Sequence, residues 1–201
     1  MKIERTTTPS LPITKSDLRT FAALHTPDFD GELESLQYSA VQDIQGLSHC
    51  KIGSAEYTVY AENFSDLELP LSLFPITRIA SVTYLDVDGV EQTLTASEYV
   101  YDVTDYPQRL LFTGDSLPSL ADSTTAPINR VRINLVAGYG DTGSGVPLEF
   151  MALPTNLAHA VKQLTLHRFL SKEPTGAASM ASEIPYGIKS IVNRQRKRKV
   201  W

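Results

Sequence analysis

The stretch from Leu69 to Val103 constrains the fold more than any other part of this chain. It reads L-P-L-S-L-F-P-I-T-R-I-A-S-V-T-Y-L-D-V-D-G-V-E-Q-T-L-T-A-S-E-Y-V-Y-D-V. Ile79, Val82, Tyr84 and Val87 are separated by polar or small residues. Such side chains suit a pleated surface buried on one face. Asp88-Gly89 supplies a turn in which glycine accepts positive φ, and Val90, Thr93 and Leu94 begin a return strand. The pattern predicts a twisted antiparallel hairpin that seeds a small sheet. Nothing in it points to catalysis.

On the N-terminal side the period is helical. Thr14 with Asp17 three residues on reads as a capping box, and Leu18, Phe21 and Ala22 form the buried face of a short helix ending near Pro27. A longer helix starts at Asp28 or Asp30, with Leu33, Leu36, Ala40, Val41, Ile44 and Leu47 on one stripe. Its other face is acidic. After Lys51 the pattern alternates, predicting strands over Glu56–Ala61, Tyr99–Val103, Arg109–Phe112 and Val131–Ala137. Gly114–Asn129 reads as an exposed loop. From Thr155 helical spacing returns with Leu157, Ala160, Val161, Leu164 and Phe169. Small residues from Pro174 to Ser182 predict a flexible hinge, and Ile184, Ile188, Ile191 and Val192 give a last amphipathic helix. The expected class is α+β. A helical bundle of two N-terminal and two C-terminal helices (14–50 and 155–201) carries an inserted antiparallel β-sheet (52–137). A flexible C-terminal segment (174–201) completes a single domain.

Charge is unevenly placed. The chain has 18 basic and 23 acidic residues, and five of the basic ones, Arg194, Arg196, Lys197, Arg198 and Lys199, lie in the last eight positions. Thirteen against twenty-three leaves −10 on the first 193 residues and +5 on the tail. A basic end on an acidic body points to docking on a negatively charged protein rather than to gripping a duplex, which takes positive charge spread over a folded face. A run of solvated terminal charge fits the same composition. The single cysteine, Cys50, excludes an intrachain disulfide and suits a reducing compartment. No apolar run is long enough to span a membrane, and the N-terminus lacks a secretory core.

Several short motifs imitate chemistry. Gly138-x-Gly140-x-x-Gly143 matches the dinucleotide fingerprint, yet no helix pattern appears until Thr155 and no acidic residue stands about twenty positions on. Asp141-Thr142-Gly143 matches the aspartic-protease triplet, which needs two carboxylates sharing a proton. Asp86-Val87-Asp88-Gly89 lacks the first and last ligands of a calcium loop and reads as a hairpin turn. His49-Cys50 has no second pair for zinc. No catalytic, cofactor or metal site is expected.

These residues resemble the head–tail connector family of tailed bacteriophages, also called adaptor or head-completion proteins. The resemblance rests on Leu69-Pro70-Leu71, Pro75-Ile76, Ser81-Val82-Thr83-Tyr84, Asp86-Val87-Asp88-Gly89 and Ser97-Glu98-Tyr99. It continues through Val131-Arg132-Ile133-Asn134-Leu135-Val136-Ala137-Gly138-Tyr139-Gly140, Val146-Pro147 and Ile184-Pro185-Tyr186-Gly187-Ile188-Lys189. It implies a non-enzymatic virion protein, made in the bacterial host cytoplasm, that forms a cyclic ring at the head–tail interface. The family implies about twelve copies. The implied partners are the portal protein and a downstream neck or tail protein, with DNA passing through the channel without sequence-specific binding. On this reading Ile184, Ile188, Ile191, Val192, Arg194, Arg196, Lys197, Arg198, Lys199 and Trp201 dock on the portal. The acidic helix face at Glu32, Glu34 and Asp43 is the expected subunit interface. The competing readings are another neck or tail-completion protein, or a peptidase using Asp141.

Overall fold

The computed structural model describes residues 2–64, 67–102, 107–113, 117–122, 129–171 and 184–195. Strand β1 (Lys2–Arg5) precedes helices α1 (Lys15–Phe21) and α2 (Asp30–Ser48). Strands β2 (Ala55–Ala61), β3 (Leu67–Glu68), β4 (Ile76–Leu85) and β5 (Glu91–Thr93) come next, then β6 (Tyr99–Asp102), β7 (Arg109–Phe112) and β8 (Val131–Ala137). Helices α3 (Thr155–Leu170) and α4 (Tyr186–Gln195) close the order. The α+β architecture expected from the sequence, two N-terminal and two C-terminal helices with an antiparallel β insertion, is what the described residues form. Thr14 caps α1 as expected, its Oγ1 accepting the Asp17 N–H at 3.1 Å.

The insertion differs from expectation in its organisation. It is two sheets, a five-stranded one in the order β1-β2-β8-β4-β5 and a three-stranded one in the order β3-β7-β6. The hairpin β4–β5 lies at an edge, and β8 is the centre. Sequence spacing recognises β8 as a strand, but its centrality comes from pairing β2 on one side and β4 on the other. Val131, Ile133, Leu135 and Ala137 on one face are buried. On the opposite face Asn134 accepts from the Thr58 hydroxyl at 2.8 Å and donates to Ser81 Oγ at 3.0 Å, while Arg132 pairs with Glu91 at 2.7 Å. One apolar and one polar face fix the register, because a slip by one residue would exchange them.

The second sheet shares that apolar core through Leu110, Tyr99, Tyr101 and Phe112. Gln108 joins the sheets. Its buried side-chain amide accepts from the Ile76 N–H at 2.7 Å and donates to the Ile76 carbonyl at 3.0 Å, as a neighbouring strand would. Part of the 114–129 connection, expected to be exposed, belongs to this core as well. Ala121 is fully buried and donates its N–H to Leu85 O, and Leu117 and Leu120 pack beside the sheet.

A separate core lies among the helices: Leu18 from α1, Leu33, Ala40 and Ile44 from α2, Leu157, Val161 and Leu164 from α3, and Ile188 and Val192 from α4. The chain passes between the two cores at a narrow joint. There Gly138 N–H bonds Pro75 O, Tyr139 N–H bonds Lys51 O, and Lys51 N–H bonds Phe74 O.

Gln108→Ala is expected to leave the Ile76 N–H without its Gln108 partner, while the Ile76 carbonyl keeps the Tyr101 hydroxyl, and to lower stability by about 1–3 kcal/mol, read from urea unfolding. A loss within experimental error would show that water replaces the amide.

Candidate functional site

The glycine joint has the look of a site in sequence, and its geometry shows what the glycines do. Gly138 has φ +109°, and a Cβ there would lie 2.1 Å from Gly53 O. A Cβ on Gly53 would in turn lie 2.0 Å from Ser10 O. Three backbone segments are thus stacked more closely than any side chain allows. Beyond Gly143 the chain makes a turn and a one-turn 3-10 helix, Leu148–Phe150, before α3 starts at Thr155. The glycines therefore face no helix N-terminus that would hold a pyrophosphate.

Asp141 is buried inside this joint. Its carboxylate accepts from the Thr77 hydroxyl at 2.7 Å, from Arg78 Nε at 3.1 Å and from the Gly143 N–H at 3.0 Å. Burial alone would raise its pKa, but the Thr77 and Gly143 hydrogen bonds and the Arg78 charge outweigh it and hold the carboxyl below the usual range. An aspartic-peptidase carboxylate shares a proton with a second carboxylate. None of the groups holding Asp141 is one. The residue latches the joint to β4.

The metal-like clusters are equally occupied elsewhere. Asp86 is the anchor of the hairpin turn, its Oδ1 accepting from the N–H groups of Asp88 and Val90 at 3.0 and 2.9 Å. His49 is the left-handed C-cap of α2, and Cys50 is buried beside it. Among the described residues no group of three or more His, Cys, Asp or Glu is placed to hold a metal, and no helix is long and apolar enough to cross a membrane.

The expected docking residues are divided by the structure. Ile188 is buried and Val192 fully so, both within the helical core, and Ile184 and Ile191 pack against that core. The apolar stripe of α4 is thus covered by α2 and α3 of its own chain and is not a face left open for a partner. Periodicity identifies such a stripe without saying which surface covers it. Arg194 is exposed, whereas Arg196, Lys197, Arg198, Lys199 and Trp201, with the hinge Pro174–Ser182, lie outside the described residues. The opposite face of α4 is the one turned outward. Tyr186, Lys189, Ser190, Asn193 and Arg194 line a shallow polar depression of about 370 Å³, with Tyr186 86% exposed. Their i, i+3, i+4, i+7, i+8 spacing, complementary to the apolar stripe, is the sequence signal for this face.

The acidic face of α2 is likewise committed within the chain. Lys15 pairs with Glu34 at 2.7 Å, Arg168 pairs with Asp43 and donates to Ser39 Oγ at 2.8 Å, and Arg19 pairs with Asp30 at 3.2 Å. These pairs tie α2 to α1 and α3. Glu34 and Asp43 thus arrive at any subunit interface already neutralised, and Glu32 stands in the first turn of α2.

Two measurements test these assignments. Ile188→Ala is expected to cost about 2–4 kcal/mol of stability by chemical denaturation, because α4 is part of the core. A helix free of the body would show no loss. Asp141→Asn is expected to cost about 1–3 kcal/mol at neutral pH. Arg78 is 39% exposed at its side chain, so solvent screens its share and the buried Thr77 and Gly143 contacts matter more. Because the folded carboxyl is held low, its contribution is complete above about pH 4 and drains away as pH falls through the folded value. The difference between wild type and Asn variant should therefore close between melts at pH 7 and pH 3.

No protein-family model matches the chain, and no curated protein sequence does. Solved structures do. The chain shares its fold with a chain from the neck of an empty gene transfer agent (GTA) particle computed with C6 symmetry. The TM-score is 0.72 at 22% identity, covering 100% of this chain and 98% of that one. A chain of the virion of a native GTA particle matches with TM-score 0.70 and 21% identity over 100% and 98% of the two chains. A chain of a native GTA neck computed with C12 symmetry matches with TM-score 0.67 and 22% identity over the same shares.

Proposed function

We propose that this chain is a structural neck component of a tailed-phage-like particle, an adaptor that closes into a ring on the portal and continues the DNA channel toward the next neck or tail protein. The observation that carries the reading is the end-to-end likeness of fold to neck chains of symmetric particles, with a TM-score of 0.72 over all of this chain and 98% of the other. Three features of the chain support it. The buried polar groups hold the fold together, as a mechanical part requires. The first 193 residues carry −10, and an acidic wall lets DNA phosphates slide where a basic one would retain them. A closed ring needs two different faces on each subunit, and the polar face of α4 and the sheet edges lie on different elements.

Docking on the portal falls to the outward face of α4 and the basic run beyond it. Ile184, Ile188, Ile191 and Val192 hold the helix as a platform; Tyr186, Lys189, Arg194, Arg196, Lys197, Arg198, Lys199 and Trp201 meet the partner. Exposed ion pairs contribute about 0.2–1 kcal/mol each, so reversing the five tail charges together should weaken docking about tenfold or more. The loss should be larger at low than at high salt. Purified portal mixed with the chain, followed by native mass spectrometry and electron microscopy, should show a cyclic ring on the portal. A compact dimer that never joins the portal would sink the reading, and a ring attached at the far end of the neck would assign the chain to tail completion instead.

A further inference from the structure

Arg5 and Lys51 are two cations that stand beside each other without an acid of their own chain. Arg5 is the antiparallel partner of Tyr57 in the β1–β2 ladder, and Lys51 Nζ lies 5.7 Å from the centroid of the same tyrosine ring. Two positive groups thus flank one buried aromatic side chain. Neither forms an ion pair with a described residue. Strand alternation sends the neighbouring Glu4 and Glu56 to the other face of the sheet, where Glu4 pairs with Lys2 and accepts from the Tyr60 hydroxyl. The recess of about 360 Å³ that Lys51 also lines, at the C-terminal end of α2, has no carboxylate in its walls.

This arrangement works against the isolated chain. Lys51 is half-buried, and lost hydration together with the Arg5 charge pushes its ammonium below the usual lysine range. The face of the Tyr57 ring offsets only part of that cost. Other cations of the body have been given acids: Lys2 has Glu4, Arg78 has Asp141, Arg130 has Glu62, Arg132 has Glu91 and Arg168 has Asp43. In a body where acids are in excess, two adjacent cations left without one mark a place where the counter-charge comes from outside. They also stand at a boundary of the molecule. Strand β1 is the outermost strand of the five-stranded sheet, with all four side chains exposed, so its outer main-chain groups pair with no described strand.

We infer that the Arg5–Lys51 pair receives a carboxylate side chain from a second copy of this chain, set against the β1 edge where neighbouring subunits meet. Charge selects that occupant. The site is cationic and not neutralised from within, and a neighbouring copy is rich in what it lacks, with −10 on its first 193 residues. Two such bodies repel each other unless a cation on one meets an acid on the other. Duplex DNA is the poorer fit. The same −10 repels its phosphates, and two cations, one of them half-buried, are not the broad basic face that a DNA backbone takes. A site at a sheet edge that accepts a group from a different surface of the neighbour makes a heterologous contact, the kind that propagates around a ring. The inference rests on the ring reading above and adds one side of its seam.

Crosslinking with a water-soluble carbodiimide, which joins a carboxylate to an amine as an amide, tests the site in the full-length chain. Rings are assembled on purified portal from an equal mixture of isotopically light and heavy copies, treated, and digested for mass spectrometry. Lys51 should appear in an amide link between a light and a heavy copy. Lys51→Arg, which keeps the charge and loses the amine, should form rings without that link. Arg5→Glu, at a side chain exposed in the monomer, should weaken assembly about tenfold or more. Lys51→Met keeps an aliphatic chain over Tyr57 and removes the charge. It should weaken assembly while the melting temperature of the monomer holds or rises. A lower melting temperature with normal assembly would make Lys51 an internal packing group and overturn the site. Wild-type assembly by both Arg5→Glu and Lys51→Met, or Lys51 linked only within its own copy or to the portal, also overturns it and leaves the ring reading standing. A folded chain that forms no ring, on the portal or at its highest soluble concentration, overturns both.

Discussion

The approach of Gly53 to Gly138 is the contact on which the rest of the fold depends. At this point the segment leaving α2 crosses the segment leaving β8, with backbone so close that a Cβ on either residue would overlap a carbonyl oxygen. Immediately beyond it Ala55 pairs with Ala137, and Ala137 also pairs with Ile76. Three of the five strands of the large sheet therefore take their register from one place. If the crossing were wider, β2 and β4 could slide against β8, and each single-residue slip would turn Val59, Ile133 and Val82 from core to solvent. Asp141 holds the same crossing from the other side, through Thr77 and Arg78 at the start of β4. The motif that imitates a nucleotide loop is where two cores are fastened to each other.

That constraint also explains what could be read in the sequence and what could not. The helices are legible because their faces repeat: Leu33, Ala40 and Ile44 sit where a 3.6-residue period places them, and all are buried. The β4–β5 turn is legible because Asp88-Gly89 has few other uses. Strand β1 leaves no trace, since Lys2, Ile3, Glu4 and Arg5 are all exposed and the strand exists only by pairing with β2. The split into two sheets is equally silent. It depends on Gln108 reaching Ile76, 32 positions away, and no periodicity encodes a contact of that separation.

The surfaces are the part of the chain least legible in the sequence. A helix with an apolar stripe beyond a small-residue linker looks like a free docking element, and the spacing of Ile184, Ile188, Ile191 and Val192 is read correctly. The identity of the surface covering the stripe is a tertiary fact. The acidic face of α2 is a similar case. Glu34 and Asp43 look like unclaimed charge, yet their cations come from 19 residues upstream, at Lys15, and from 125 residues downstream, at Arg168. Composition fixes the excess of acid over base and says nothing about which acids stay unpaired.

The buried polar groups show what this chain does with the polarity of its interior. Active sites hold several polar groups converging on a point where the protein supplies no partner, because substrate will. Several of the buried or half-buried polar side chains described here bond the protein's own backbone. Gln37 donates to Ile13 O at 3.1 Å, Gln45 accepts from the Ile52 N–H at 3.0 Å, Gln108 bonds both groups of Ile76 and Thr165 donates to Val161 O at 2.8 Å. The bonds of Gln37 and Gln108 join segments well apart in sequence, and that of Gln45 ties the end of α2 to the chain leaving it. Each relieves a main-chain group that would otherwise be buried and unpaired. A chain built this way uses its interior polarity to hold shape, and its chemistry is left to its outer surfaces.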